Sequence, residues 1–408
     1  MGYFKTTIKG VAWMGALRSL TRVIAFVKIV VLARMLSPLQ FGLFGIASLV
    51  LAFLEILTET GINAFLLQED SKIEEYLNSA WVVSIFRGLL ISFSVLVLSI
   101  PIALFFNTPE ATRLLILMSS APLLRGFINP TVIRFQKDLQ FKKEFYFRLC
   151  IFSFDAVITI LLVFSTRSAE SLVWGMVGST LFELILSWLV IRPFPKIEFE
   201  KDRVRKVFNR GKWLTLAGTF EYFFQHGDDI VVGKLLNTTS LGIYQIAYKV
   251  STLPITEGGE IISKVVFPVY VKISEDKKRL KKAYLKVLGA ISVIIVPFGL
   301  LLFLFAEPFV TIFLGSQWLD AIPVLRVLAV FGVIRAISGS SSALFLALKK
   351  QKYITLVTFV SILGLAITIL PLVNAYGIVG AALSTIIGSV AAIPVMYHFL
   401  RKELYAKG

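Results

Sequence analysis

The sequence predicts an all-α integral membrane protein, with twelve transmembrane helices in two parallel six-helix halves around a central cleft. Three observations carry this prediction. Of 408 residues, 57% are hydrophobic, and the mean hydropathy of +0.82 lies far above that of a soluble domain. Twelve apolar segments follow one another, at about 11–33, 41–67, 78–106, 111–133, 145–165, 169–191, 213–236, 241–269, 284–305, 321–347, 352–373 and 376–400. Each is long enough, at about 1.5 Å per residue, to cross the hydrocarbon core. Finally, the chain repeats itself at an offset of 200 residues.

The first segment, Val11–Ala33, carries Arg18, Arg22 and Lys28 and no acid. At roughly 100° per residue, all three fall within about one third of the helix surface. A charge at mid-bilayer costs at least ~2.5–3.5 kcal/mol, so this cationic stripe needs water, a partner or a ligand.

Between segments the charge alternates. The side shared with the N-terminus receives Lys5 and Lys9, then Arg134, Lys137, Lys142 and Lys143, and the basic runs Arg192–Lys212 and Lys272–Lys282. Lys349, Lys350, Lys352 and the Arg401/Lys402/Lys407 tail fall on that side too. The positive-inside rule places both termini in the cytoplasm, and it accounts for the net charge of +17 without a nucleic-acid partner. The stretches 196–212 and 270–286 read either as interfacial helices on anionic lipid or as topology-setting loops.

The repeat overlays Val31-Leu-Ala-Arg-Met-Leu36 and Phe41-Gly-Leu-Phe-Gly-Ile-Ala47 on Val231-Val-Gly-Lys-Leu-Leu236 and Leu241-Gly-Ile-Tyr-Gln-Ile-Ala247. Six helices is an even number, so both halves run in the same orientation, as in parallel-repeat transporters that hold substrate between their halves. The divisions are 1–195, a linker at 196–212, and 213–408.

The segments LARMLSPLQFGLFGIA, GDDIVVGKLLNTTSLGIYQIAYKV, FPVYVKISEDKKRLKKAY, GSQWLDAIPVLRVLAV and NAYGIVGAALSTI resemble the polysaccharide-exporter (oligosaccharide flippase) family. That family belongs to the multidrug/oligosaccharidyl-lipid/polysaccharide superfamily, which also holds the MATE drug exporters. The resemblance implies a MATE-like fold in a bacterial or archaeal cytoplasmic membrane, and an undecaprenyl-pyrophosphate-linked oligosaccharide as substrate. The interior carboxylates add H+ or Na+ as an expected coupling ion, and polysaccharide polymerase machinery is a further expected partner. Many members carry two further helices after the twelfth, whose role is not carried over.

Interior charges supply the candidate site. Guanidinium and ammonium groups suit an anion with several oxygens, so Arg18, Arg22, Lys28, Arg125, Lys249 and Arg335 are the candidate ligands of the pyrophosphate. Glu221, Asp228, Asp229, Glu55 and Glu59 are candidates for coupling-ion binding or gating. Lys28 and Asp228, at equivalent repeat positions, are expected to meet as an outer gate. The alternative for any of these is a structural ion pair between helices. His226 reads as a proton site or as a neutral hydrogen-bonded histidine, and Pro254 with Gly258 and Gly259 suggests a gating bend. No phosphate-binding loop, nucleophile triad, metal cluster or cofactor motif is present, so an enzyme is not expected. Two competing functions stay open: export of small organic cations, and a membrane glycan ligase or polymerase.

Overall fold

A computed structural model describes residues 3–59, 74–198 and 201–405, without the side chains of 3–9, 11, 74–75, 201–214, 216–217, 253–265 and 405. The expected bend at Pro254 with Gly258 and Gly259 falls on side chains outside this set. Among the described residues there is no strand. The helices are α1 (Tyr3–Met35), α2 (Pro38–Leu57), α3 (Glu74–Phe105), α4 (Ala111–Met118), α5 (Ser120–Gly126), α6 (Arg134–Lys137), α7 (Phe141–Thr166) and α8 (Ala169–Val190). They continue with α9 (Lys201–Leu235), α10 (Thr238–Lys272), α11 (Lys277–Leu304), α12 (Ala306–Phe309), α13 (Ala321–Ala347) and α14 (Gln351–Tyr405).

Seven of these, α2, α3, α7, α8, α11, α13 and α14, are long and apolar enough to cross a membrane. The bent pair Ala111–Gly126 and Pro130–Lys137 gives an eighth. The expected segments 11–33, 213–236 and 241–269 coincide with α1, α9 and α10, which carry charged residues along their length. The segments 352–373 and 376–400 both lie in α14, which is interrupted at Gly377, the second residue of the latter. Gly377 has φ +59, a left-handed backbone that glycine adopts without steric cost, and it breaks a helix otherwise too long for one crossing.

The expected single segment 111–133 is broken instead. Proline cannot donate a backbone hydrogen bond and pushes its predecessor out of the α region. Asn129, just before Pro130, is accordingly extended (φ −65, ψ 112), and its side chain accepts from the Thr131 N–H. The two arms differ in direction by 69°. The stretch 270–286 likewise forms no separate surface helix: 270–272 end α10 and 277–286 open α11, which is capped by Asp276.

By contacts the chain forms two compact units, Met1–His226 and Gly227–Gly408, so the division falls inside α9. In the first unit α7 packs on α1 and α8, and α3 packs on α4 and α5. Gly88 of α3 and Gly126 of α5 bring their backbones together, since a Cβ on either would collide with the other helix's main chain. In the second unit α13 is the central element, packed by α10, α11 and α14.

Candidate functional site

On α1, Arg18 and Lys28 are half-buried and Arg22 is exposed. The first segment holds no acid of its own, but α7 supplies one: Lys28 Nζ donates to Asp155 Oδ2 at 2.7 Å. Both side chains keep roughly a quarter of their surface (21% and 27%), so the pair is neutralised without being fully desolvated.

A second cluster lies around a cavity of the first unit. Arg125 of α5 is paired with the Glu55 carboxylate of α2. Arg87 of α3 donates to the Glu55 carbonyl at 2.5 Å, to Thr58 Oγ1 at 3.2 Å and to Glu59 Oε2 at 3.3 Å. Arg148 of α7 pairs with Glu183 of α8 at 3.2 Å. Glu55, Arg87, Arg125, Arg148 and Glu183 line one cavity of about 390 Å³. The helix break forms part of its wall, through Ile128, Asn129 and Pro130. That break is pinned by α8 and the residue after it. Trp188 Nε1 donates to the Phe127 carbonyl (2.9 Å), the Asn129 N–H to Ser187 Oγ (3.1 Å), and Asn129 Nδ2 to the Ile191 carbonyl (3.3 Å). Irregular backbone in a membrane segment needs such replacement partners, and it occurs where it lines a cavity.

The second unit has a different polar interior. Asp228 and Asp229 are buried, at 3% and 8% exposure. The Tyr244 hydroxyl of α10 donates to Asp228 Oδ2 at 2.6 Å, and the Asp229 N–H donates to Asp228 Oδ1 at 3.0 Å. One turn on, the Tyr248 hydroxyl accepts from the Arg335 guanidinium of α13 at 2.7 Å, with Arg335 also 5.9 Å from the Phe331 ring centroid. Acids this buried in a membrane segment are costly without hydrogen-bond donors or a cation.

The structure thus brings Glu55, Glu59 and Arg125 together in one unit, and Asp228, Asp229 and Arg335 near one tyrosine pair in the other. Each member of the expected Lys28–Asp228 gate is engaged inside its own unit. Glu221 is exposed and accepts from Gln225, Lys249 is exposed, and the His226 ring lies 5.0 Å from that of Tyr222, tilted by 43°. Among the described residues, no group of three or more His, Cys, Asp or Glu could hold a metal ion. Sequence reasoning missed Arg148 and the tyrosine pair. The i, i+4 spacing of Tyr244 and Tyr248 was the available signal, since it sets both hydroxyls on one helix face.

Comparison with known proteins adds to this geometry. The family profile described as "Polysaccharide biosynthesis protein" matches residues 31–323. The chain is 25% identical to the lipopolysaccharide biosynthesis protein WzxC of Escherichia coli K12, over 85% of this chain and 71% of that one. Among solved structures, the lipid II flippase MurJ in an inward closed conformation superposes with a TM-score of 0.73 at 19% identity, covering 96% of this chain and 88% of that one. An inward-facing MATE multidrug transporter superposes with a TM-score of 0.70 at 17% identity, covering 94% of each. What these two share with the chain is the fold, which is all-α and MATE-like.

Proposed function

The chain belongs to the polysaccharide biosynthesis protein family, and from that premise we propose that it is a flippase for a lipid-linked oligosaccharide. Its substrate is an undecaprenyl-pyrophosphate-linked oligosaccharide, carried across the cytoplasmic membrane for assembly of a surface polysaccharide. The reading has twelve spans, six in each of the halves 1–195 and 213–408, joined through 196–212, with both termini cytoplasmic. The chain acts as a transporter, not an enzyme, and hands its product to polysaccharide polymerase machinery.

The observation that carries this reading is the charge of α1. Arg18 and Arg22 lie about one turn apart on a helix whose own sequence carries no acid. Two guanidiniums so placed suit a pyrophosphate, whose oxygens accept bidentate forks. Arg125, Lys249 and Arg335 are further candidate ligands. Arg125 and Arg335 would have to exchange Glu55 and Tyr248 for substrate. Asp228 and Asp229, with Glu221, are our candidates for binding a coupling H+ or Na+, and Glu55 and Glu59 serve chiefly as partners of Arg125 and Arg87. A MATE-like exporter of organic cations is the second reading, favoured by the buried acids of α9.

The test is genetic. Deletion should remove a surface glycan, wild type should restore it, and Arg18→Gln with Arg22→Gln should not, although the protein reaches the membrane. Lysine at both positions should rescue only in part, because an ammonium offers no fork. Full restoration by the double glutamine variant would refute the assignment, and a deletion that loses only organic-cation export would favour the second reading.

A further inference from the structure

Outside the polar interiors already described, the first unit carries a groove of about 880 Å³ at its basic end, between α7 and the end of α8. Its residues are ordered by chemistry. On α7, Lys143, Tyr146, Phe147 and Cys150 follow the i, i+3, i+4, i+7 pattern of one helix face, a cation first and apolar groups after it. On α8, Leu186 and Val190 lie one turn apart and lead to Arg192 just past the helix end. The two helices pack against each other, so their cations meet at one mouth and their apolar residues continue away from it. From Lys143 to Cys150 the wall runs about 10 Å along α7.

The charge at the mouth is net positive. Arg134, Lys143 and Arg192 face one acid, Asp138, which sits 3.6 Å from Arg134. Arg192 lies 3.6 Å over the Phe194 ring, which holds its guanidinium at the mouth. The apolar walls are open on the outer surface: Tyr146 is 56% exposed and Val190 58%. Both helices are long and apolar enough to span the membrane, so this surface is met by lipid, with an aromatic at interfacial depth.

We propose that this groove binds an anionic phospholipid. The phosphate of its head group engages Lys143, Arg192 and Arg134, and one acyl chain lies against Leu186, Val190 and Cys150. Basic pockets between transmembrane helices capture anionic head groups in this manner. The inference needs only that the chain spans a membrane, so it stands or falls separately from the transported substrate.

Native mass spectrometry of the purified, delipidated full chain tests it, with phosphatidylglycerol and phosphatidylcholine of identical acyl chains. The first phosphatidylglycerol should bind about tenfold more tightly or better. Lys143→Gln with Arg192→Gln should bring it to the phosphatidylcholine level, while Lys143→Arg with Arg192→Lys retains the preference. Cys150 is the chain's one cysteine and supplies a second readout in the unaltered protein. In nanodiscs its labelling by a maleimide should be several-fold slower with phosphatidylglycerol present than in phosphatidylcholine alone. Equal affinity for the two lipids, a preference that survives the double glutamine variant, or a labelling rate indifferent to lipid would overturn the proposal. Protection of Cys150 by undecaprenyl pyrophosphate at concentrations where phosphatidylglycerol gives none would overturn it in favour of a substrate site. Should the glutamine variant not fold, the Cys150 rates in wild type decide alone.

Discussion

The helix pairs α1–α2 and α9–α10 are built on one plan and filled with opposite chemistry. Ser37 and Asn237, 200 residues apart, each cap the helix that follows by accepting from the N–H three residues on. Positions 41, 43, 46 and 47 are buried in the first pair, and 241, 243, 246 and 247 in the second. Yet α1 presents Arg18, Arg22 and Lys28 where α9 presents Glu221, Asp228 and Asp229. The polar interiors of the two units are satisfied differently as well. The first unit uses arginine–carboxylate pairs around a cavity, and the second uses tyrosine hydroxyls in a buried seam. The repeat therefore preserves what folds the helices and varies the charges they carry.

The largest expected effect breaks the chemical half of this comparison. Arg18→Gln with Arg22→Gln removes two guanidiniums from α1 and should lower glycan export by about 100-fold, the equivalent of ~3 kcal/mol. Asp228→Asn with Asp229→Asn should instead remove the response of transport to an ion gradient and leave binding of the lipid-linked sugar intact. Flipping rates and substrate binding, measured on the same preparations, check both.

Next in size is the buried seam. Tyr244→Phe deletes the hydroxyl that donates to Asp228 and should destabilise the protein by about 1–3 kcal/mol, the usual cost of a buried acceptor losing its donor. Adding Asp228→Asn should recover part of that loss in thermal melts of the purified protein.

The caps test the shared half. Ser37→Ala and Asn237→Ala should each cost about 1 kcal/mol, and by similar amounts, if the two caps do equivalent work. The smallest effect is expected at Glu55–Arg125. These side chains are 31% and 42% exposed, and a double-mutant cycle with Glu55→Gln and Arg125→Gln should give a coupling of about 1 kcal/mol or less. A much larger coupling would mean that the pair helps to hold α2 against α5 in the first unit.

Much of this was legible in the sequence because it is local. The repeat, the apolar runs and the α1 charges follow from residue spacing alone. The break at Asn129–Pro130 was present in the letters, but it was masked by the apolar run around it; proline in a membrane segment marks a bend only where neighbours such as Ser187 and Trp188 replace the lost hydrogen bonds. The Lys28–Asp155 pair spans 127 residues and is a product of α1 packing on α7, which no periodicity reveals. The tyrosine contacts were hidden for a related reason. An aromatic in an apolar helix reads as packing until its hydroxyl is seen to meet a carboxylate on another helix.

In the proposed flippase, α1 engages the pyrophosphate of a lipid-linked oligosaccharide during its passage across the membrane. The most direct measurement is flipping of a fluorescent polyprenyl-pyrophosphate oligosaccharide in vesicles containing the purified protein, compared with vesicles containing the Arg18→Gln, Arg22→Gln variant. Wild type should expose the label rapidly and the variant almost not at all, with equal protein incorporated in both. Equal flipping by the two proteins, or no flipping by wild type alongside uptake of an organic cation, would contradict that engagement.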